Sequence, residues 1–270
     1  MTSSGFEALL EAVRGPASVN VLVLTGAGIS LASGIPTFRG TDPGAVWSNE
    51  VMEKGTHAFF QRAPHESWKM YLQRFELARA AKPNAAHRAL VAWEAWQEAQ
   101  GRGFAVVTQN VDSLHEDAGS RQLVKVHGSL RLARCSAQGC ELGAPRGTVP
   151  MASVDFSAFQ ASPSPETVPR CPRCDSRLRP HVLWFDENYT EHDTYEIERT
   201  LILARQSRVI VFVGTSFSVG VTELVYRRGR KLDARMFSID PSNVSLDRGI
   251  EPVTARAEEA LPELVRALQS

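Results

Sequence analysis

The sequence predicts an α/β protein, a Rossmann-like parallel sheet interrupted by a small cysteine-bearing insert. Three observations predict it. Apolar, β-branched runs recur at Val19–Leu24, Phe104–Thr108, Val209–Gly214 and Met236–Asp240, each ending in glycine or polar residues. Such runs are how strands covered on both faces read. Helical stretches separate them: Glu66–Ala81, Asn84–Gln100 and Thr194–Gln206, with Phe6–Val13 and Ala257–Leu268 at the ends. Residues 135–174 differ from the rest, holding all four cysteines among scattered Pro and Ser with little periodicity. Strands alternating with helices imply a parallel sheet, and the cysteine segment reads as a module inserted into it.

Bulk composition bounds the function. At 270 residues the chain is long enough for one large domain carrying a smaller one. Lys+Arg and Asp+Glu are both 30, so the net charge is zero. That balance argues against nucleic-acid binding, which leaves a basic excess. The N-terminus lacks the basic start and apolar run of a signal peptide. No apolar stretch approaches the roughly 20 residues that span a bilayer. A cytoplasmic protein with reduced thiols and no membrane partner is expected; oligomeric state is left unspecified.

In a parallel sheet, ligands bind at the carboxyl ends of the strands. Here those ends carry Gly26-Ala27-Gly28-Ile29-Ser30, Gln109-Asn110 and Gly214-Thr215-Ser216. Three glycine-rich or polar loops thus converge on one crevice, which points to a nucleotide site. Glycine lets the backbone approach phosphate oxygens. The first loop lacks the G-x-G-x-x-G spacing of dehydrogenases, and alone it equally fits a tight strand-to-helix turn. Pro36, Phe38 and Arg39 follow in a loop suited to fold over a ligand. Phe38 is the candidate lid that keeps water from a reactive sugar carbon, and Arg39 the candidate partner of phosphate or carboxylate. Gln109, Asn110 and Asp112 carry the groups that bond ribose hydroxyls and a carboxamide. Asp112 or Ser113 equally serves as a helix N-cap, a duty for which Gln109 and Asn110 are not needed.

His127 follows a short apolar stretch and precedes Gly128, the setting of a general base near neutral pH. A lone histidine is more often structural, so its weight comes from the neighbouring loops. His115 and His181 read as packing or hydrogen-bonding residues. Cys135-x4-Cys140 and Cys171-x2-Cys174 form two knuckles thirty residues apart. Four thiolates suit one tetrahedral, structural zinc ion, although the interval exceeds the usual roughly 15–20 residues. A redox pair at Cys171 and Cys174 would leave the other pair unexplained.

Together, GAGISLASGIPTFRG, TQNVDSLHEDAG, HGSL, the cysteine pairs, RPHVLWFDE and VGTSFSV resemble the sirtuin family, in that family's order over about residues 20–240. The resemblance implies a Rossmann-like NAD-binding domain over 1–132 and 178–270. It also implies a zinc-binding module over 133–177, joined by part of 36–82, with substrate entering between them. It further implies NAD-dependent removal of acyl groups from protein lysines. The substrate amide oxygen attacks the nicotinamide ribose and nicotinamide leaves. His127 then deprotonates a ribose hydroxyl that attacks the acyl carbon, giving lysine and O-acyl-ADP-ribose. By motif position, Asn110 joins His127 in catalysis, and Gln109, Asn110 and Asp112 serve the nicotinamide ribose. Gly214, Thr215 and Ser216 serve the phosphates and adenosine ribose, with Asp240, Ser242 and Ala257 near the adenosine.

Tyr71 and Arg74 stand where class III sirtuins place an acyl-carboxylate clamp, and three residues apart they share a helix face. They imply succinyl-, malonyl- or glutaryl-lysine as substrates alongside acetyl-lysine, with Ala58 the small residue such a pocket needs. Trp184 and Phe185 fall in the segment that pairs with substrate backbone. Two departures stand out. Asp186 replaces the family's usual Gly, which bears on peptide geometry, and Asp240 replaces a usual Asn. Protein mono-ADP-ribosylation and a non-catalytic NAD or acyl-lysine sensor are the alternative functions.

Overall fold

A computed structural model describes residues 4–16, 19–37, 49–242 and 249–270. Six parallel strands form the main sheet: β1 (Val21–Thr25), β2 (Phe104–Thr108), β3 (Leu123–Lys125), β7 (Val209–Val213), β8 (Arg235–Ile239) and β9 (Glu251–Val253). Their spatial order is β3-β2-β1-β7-β8-β9. This is the doubly wound order in which the chain grows outward from β1 on one side, then returns to β7 and grows outward on the other. β1 pairs in five-residue register with both neighbours, Val21 lying opposite Phe104 and Val209.

The continuous apolar runs exist because both faces are covered. Val21 and Val23 point into a core built with α1 (Ser4–Arg14), α5 (Ala85–Ala99) and α10 (Ala257–Gln269). Leu22 and Leu24 point the other way, against α8 (Ile197–Gln206) and α9 (Gly220–Lys231) through Ala204, Val221 and Val225. A side chain at every position of such a strand leaves water. All five residues of β1 are buried.

Between β3 and β7 the chain builds a second sheet of three antiparallel strands in the order β5-β4-β6: β4 (Gly128–Cys135), β5 (Val149–Pro150) and β6 (Leu178–Val182). The predicted insert is therefore less irregular than its composition suggests, since two longer strands frame it and a short helix, α7 (Ser157–Ala161), lies inside. Its core joins Cys135, Val149, Phe159, Cys171, Leu178 and Trp184 to Phe60, Trp68, Tyr71 and Phe75. Those four residues come from α3 (His57–Arg62) and α4 (Pro64–Ala80), which follow the short α2 (Asn49–Lys54). The Trp68 indole donates to the Leu178 carbonyl at 2.9 Å, fixing α4 on β6. The remaining short helix, α6 (Leu114–Ala118), follows β2 directly.

Candidate functional site

The carboxyl ends of β1, β2 and β7 meet in one crevice, and glycine makes the meeting possible. Gly26 donates to the Val213 carbonyl and Gly28 to the Gly214 carbonyl, both at 3.0 Å. A Cβ on Gly28 would stand 2.6 Å from Gly214 Cα, and one on Gly26 would stand 2.7 Å from Gly214 O. Gly214 itself has φ +57°, a conformation that favours glycine. The loop after β1 coils into a 3-10 helix over Ala27–Ser33, closed by Gly34 at φ 85°. Glycines 26 and 28 therefore answer first to the backbone of β7, a reason additional to the approach of phosphate.

Around that notch lies a connected set of buried polar groups. The Asn110 amide donates to Gly26 O at 3.1 Å and to Ser30 Oγ at 3.0 Å. Ser30 in turn donates to Asp112 Oδ2 at 2.9 Å. Asp112 also accepts from Leu114 N at 3.0 Å, which spends one of its oxygens on starting α6. Burial raises the Asp112 pKa, and its hydrogen bonds and nearby Lys125 act against that rise. Gln109 donates to Thr215 Oγ1 at 3.2 Å, joining the ends of β2 and β7. Behind this layer, His115 Nε2 lies 3.0 Å from Thr25 Oγ1, and Thr25 donates to Thr108 Oγ1, which accepts from the Asn110 backbone N–H. His115 thus has the supporting role expected of it, and His181 likewise bonds Thr194 at 2.7 Å.

His127 sits between β3 and β4, partly buried at the mouth of the crevice. Its Nδ1 lies 2.8 Å from the Gln109 carbonyl. A carbonyl only accepts, so Nδ1 carries the hydrogen and Nε2 keeps its lone pair. Burial pushes the pKa down to about 4, against the Gln109 carbonyl that raises it. The ring is neutral at physiological pH and presents Nε2 as a base.

The other expected residues fall into four groups. Tyr71 is buried in the small-sheet core, 5.9 Å from the Phe75 ring centroid, and burial raises its pKa to about 12. Arg74 lies one helical turn further along, partly buried, and its charge acts on the Tyr71 phenol. Trp184 is buried with the Arg179 guanidinium 3.2 Å from its ring centroid, while neighbouring Phe185 is half exposed. Asp240 follows β8 and accepts from Ser242 N at 2.8 Å, and Ala257 opens α10; no described hydrogen bond joins these three to the Asn110 network. Pro36 lies in the described loop, whereas Phe38 and Arg39 lie outside the described residues.

Asp186 does something the sequence did not reveal. Its carboxylate accepts from the amides of His57 at 2.7 Å and Ala58 at 3.1 Å, and Phe185 N donates to Gly55 O at 3.0 Å. The segment expected to meet the substrate backbone is thereby fastened to the start of α3. Tyr189 is a second unforeseen residue, its hydroxyl 3.3 Å from His127 Nε2. A separation of 62 residues carries no local signal for that contact.

The four cysteine sulfurs lie within 4.8 Å of one another. Cys135 and Cys174 are 3.5 Å apart, Cys140 and Cys171 3.7 Å, and Cys174 and Cys140 3.6 Å. Tetrahedral zinc with bonds of about 2.3 Å puts its sulfurs about 3.8 Å apart, so the quartet fits that ion. The spacing is too long for disulfides, which need about 2.0 Å.

Comparison with known proteins agrees with this geometry. The Sir2 family signature matches residues 26–221. An NAD-dependent protein deacylase of Aeropyrum pernix is 39% identical over 87% of this chain and 86% of its own. The mitochondrial NAD-dependent protein deacylase sirtuin-5 of Danio rerio is 36% identical over 73% of this chain and 66% of its own. Among solved structures, a Sir2 homologue in complex with NAD is 33% identical, covering 97% of this chain and 93% of that one, with a TM-score of 0.78. A Sir2 protein with a p53 peptide and NAD is 27% identical over 98% of both chains, with a TM-score of 0.73. Sheet order, cysteine cluster and sequence agree: the chain belongs to the Sir2 family.

Proposed function

We propose that this protein removes acyl groups from protein lysines in an NAD-dependent reaction, releasing nicotinamide and O-acyl-ADP-ribose. One observation carries the reading. His127 is neutral, with Nδ1 bonded to the carbonyl of Gln109 and Nε2 left as an acceptor, and Gln109 is next in the chain to Asn110, whose buried network includes Ser30 and Asp112. The site suits a dinucleotide because glycine-rich or polar loops at three strand ends are brought together with buried amide and carboxylate groups that match ribose and carboxamide. Bound there, NAD would supply the ribose carbon to be attacked and nicotinamide as the leaving group.

The chain's own residues do the rest. Asn110 and Asp112, tied to each other through Ser30, orient the nicotinamide ribose. Gly214, Thr215 and Ser216 cradle the phosphates, with Gly26, Ala27, Gly28 and Ile29 opposite them, and Asp240, Ser242 and Ala257 bound the adenosine. His127 Nε2 accepts the proton of a ribose hydroxyl while Gln109 prevents the ring from turning. Phe38 and Arg39, outside the described residues, keep the roles the sequence suggests, Phe38 shielding the sugar carbon from water and Arg39 pairing with phosphate or carboxylate. Trp184 and Phe185 border the acyl-lysine entrance.

Acidic acyl groups are the finer part of this proposal. Tyr71 is a protonated phenol near neutral pH, a state its burial reinforces, so its hydroxyl can donate to an acyl carboxylate. Arg74 beside it supplies the charge that a succinyl, malonyl or glutaryl carboxylate pairs with. Cys135, Cys140, Cys171 and Cys174 hold one structural zinc ion, which sets the small sheet over the crevice. The small-sheet core joins the 133–177 module to α3 and α4 and reaches past both of its bounds, through Leu130 in β4 and through Leu178 and Val182 in β6, into the Rossmann-like portion of 1–132 and 178–270. Four free thiols gathered for a metal support a cytoplasmic setting. Among the described residues, no helix is long and apolar enough to cross a membrane.

The test is product analysis with matched acetyl- and succinyl-lysine peptides. Nicotinamide and O-acyl-ADP-ribose should appear together, with succinyl favoured, and Arg74→Met should reduce that preference. Label on the protein without O-acyl-ADP-ribose would establish ADP-ribosylation instead. Binding of NAD with no nicotinamide release would establish a sensor, and an unchanged acyl ratio in the variant would remove the carboxylate clamp.

A further inference from the structure

We propose that Tyr189 is a positioning residue for His127, its hydroxyl occupying and orienting the proton-accepting nitrogen until a substrate hydroxyl replaces it. The proposal rests on the reading of His127 as base. It starts from a chain of hydrogen bonds whose direction is fully determined. Val221 N donates to the Tyr189 oxygen at 3.1 Å. The Gln109 carbonyl accepts the only hydrogen of the neutral imidazole at 2.8 Å, which leaves Nε2 able only to accept. The Tyr189 hydroxyl, 3.3 Å from Nε2, therefore donates to it. The sequence of donors runs Val221 to Tyr189 to His127 to Gln109, each bond polarising the next.

Two further features give the contact a role beyond filling space. Val221 lies in the first turn of α9, where the amides have no partner within the helix, so the phenol satisfies an orphan donor while it serves His127. The rings also stack, with centroids 5.8 Å apart and planes 24° from parallel, so Tyr189 limits rotation of the imidazole. At 3.3 Å the bond to Nε2 is long compared with a usual hydroxyl bond of about 2.8 Å. A long bond is displaced at small cost when a ribose hydroxyl arrives and hands its proton to the same nitrogen. Tyr189 keeps Nε2 directed and desolvated before that exchange and gives it up during it. Burial lowers the His127 pKa and the Gln109 carbonyl opposes it, with the Tyr189 hydroxyl in contact with the ring.

The experiment is a proton-NMR titration of His127 in the NAD-free protein, identified by its loss in His127→Gln, for the parent, Tyr189→Phe and Tyr189→Met. The hydroxyl donates to the neutral ring and can accept from the protonated one, so removing it should change the His127 pKa by roughly half a unit to one unit. Tyr189→Met should shift it at least as far, since it also admits water. In turnover, the acid limb of deacylation should move with the NMR value. Nicotinamide exchange, which precedes the proton transfer to His127, should keep its profile. An identical His127 titration in Tyr189→Phe and parent overturns the proposal. A shift in Tyr189→Met alone also overturns it, because ring bulk would then be the cause. If the parent enzyme deacylates nothing, the proposed function falls while the NMR comparison still decides the hydrogen bond.

Discussion

Gly28→Ala separates two reasons for the glycine-rich loop. If glycine 28 were there only to admit phosphate, alanine would weaken NAD binding and leave the free protein untouched. The geometry says otherwise. The new methyl would stand 2.6 Å from Gly214 Cα and 3.0 Å from Gly214 O. Both are backbone atoms at the end of a central strand, unable to swing aside as a side chain would. The amide of Gly28 also donates to that carbonyl at 3.0 Å, so separating the loops stretches a hydrogen bond. Overpacking of this kind costs about 1–3 kcal/mol. Replacing glycine by alanine stiffens the unfolded chain and returns about 0.4–1 kcal/mol. The clash wins, leaving a net loss of about 1–2 kcal/mol. For a chain of this size that is a fall of roughly 2–8 °C in melting temperature. Calorimetry and urea denaturation of the NAD-free protein measure it. An unchanged melting temperature with lost NAD affinity would refute the backbone argument and restore phosphate as the whole reason.

Three further outcomes follow from the same structure. Chelation of zinc, or Cys140→Ser, should release one zinc per chain and lower the melting temperature by several degrees; metal analysis with calorimetry checks it, and zinc-free protein of unchanged stability would count against the site. Acid should destabilise the fold in a window set by buried neutral histidines. Burial lowers His87 and His127 to about 4 and His181 to about 2, and His115 well below its usual value. Between about 6.5 and 4 the unfolded chain takes up more protons than the folded one, so this stability is complete above about 6.5 and is lost as pH falls. A melting temperature flat from pH 7 to 5 would contradict it. Asp186→Gly should remove two acceptors from the start of α3 at a cost of about 1 kcal/mol, speed deuterium exchange at His57 and Ala58, and raise the KM for peptide without changing that for NAD. Unaltered exchange at those two amides would show that the fastening carries no energy.

The central strands were legible because burial on both faces demands unbroken apolar runs, and Phe104–Thr108 appears with the expected bounds. The edge strands were not. β3 is only three residues long, and β9 contains Pro252, which reads against a strand and is tolerated at an edge. Helix α9 was hidden by two glycines and a basic run. Gly229 is needed there because a Cβ would stand 2.8 Å from Ile210 Cδ1 and 2.9 Å from Met236 Sδ. In the site, the cysteine quartet was readable from spacing, since each knuckle is local. His127 was readable only beside its neighbours. The contacts of Asp186 and Tyr189 join elements 128 and 62 residues from their partners, and pairings of that kind leave no periodic trace.

The order β3-β2-β1-β7-β8-β9 has one more consequence. The chain leaves β3, the outermost strand on its side, at the carboxyl end, and must re-enter at β7 beside β1. That return is the longest journey in the fold, and it begins on the rim of the crevice with His127. Anything added to it accumulates above the cofactor cleft, because no sheet hydrogen bond of β1, β2 or β7 has to change. The roof over the reaction can thus be lengthened, recut or given a metal without renegotiating the floor, so such a scaffold can change what it acts upon while keeping what it consumes.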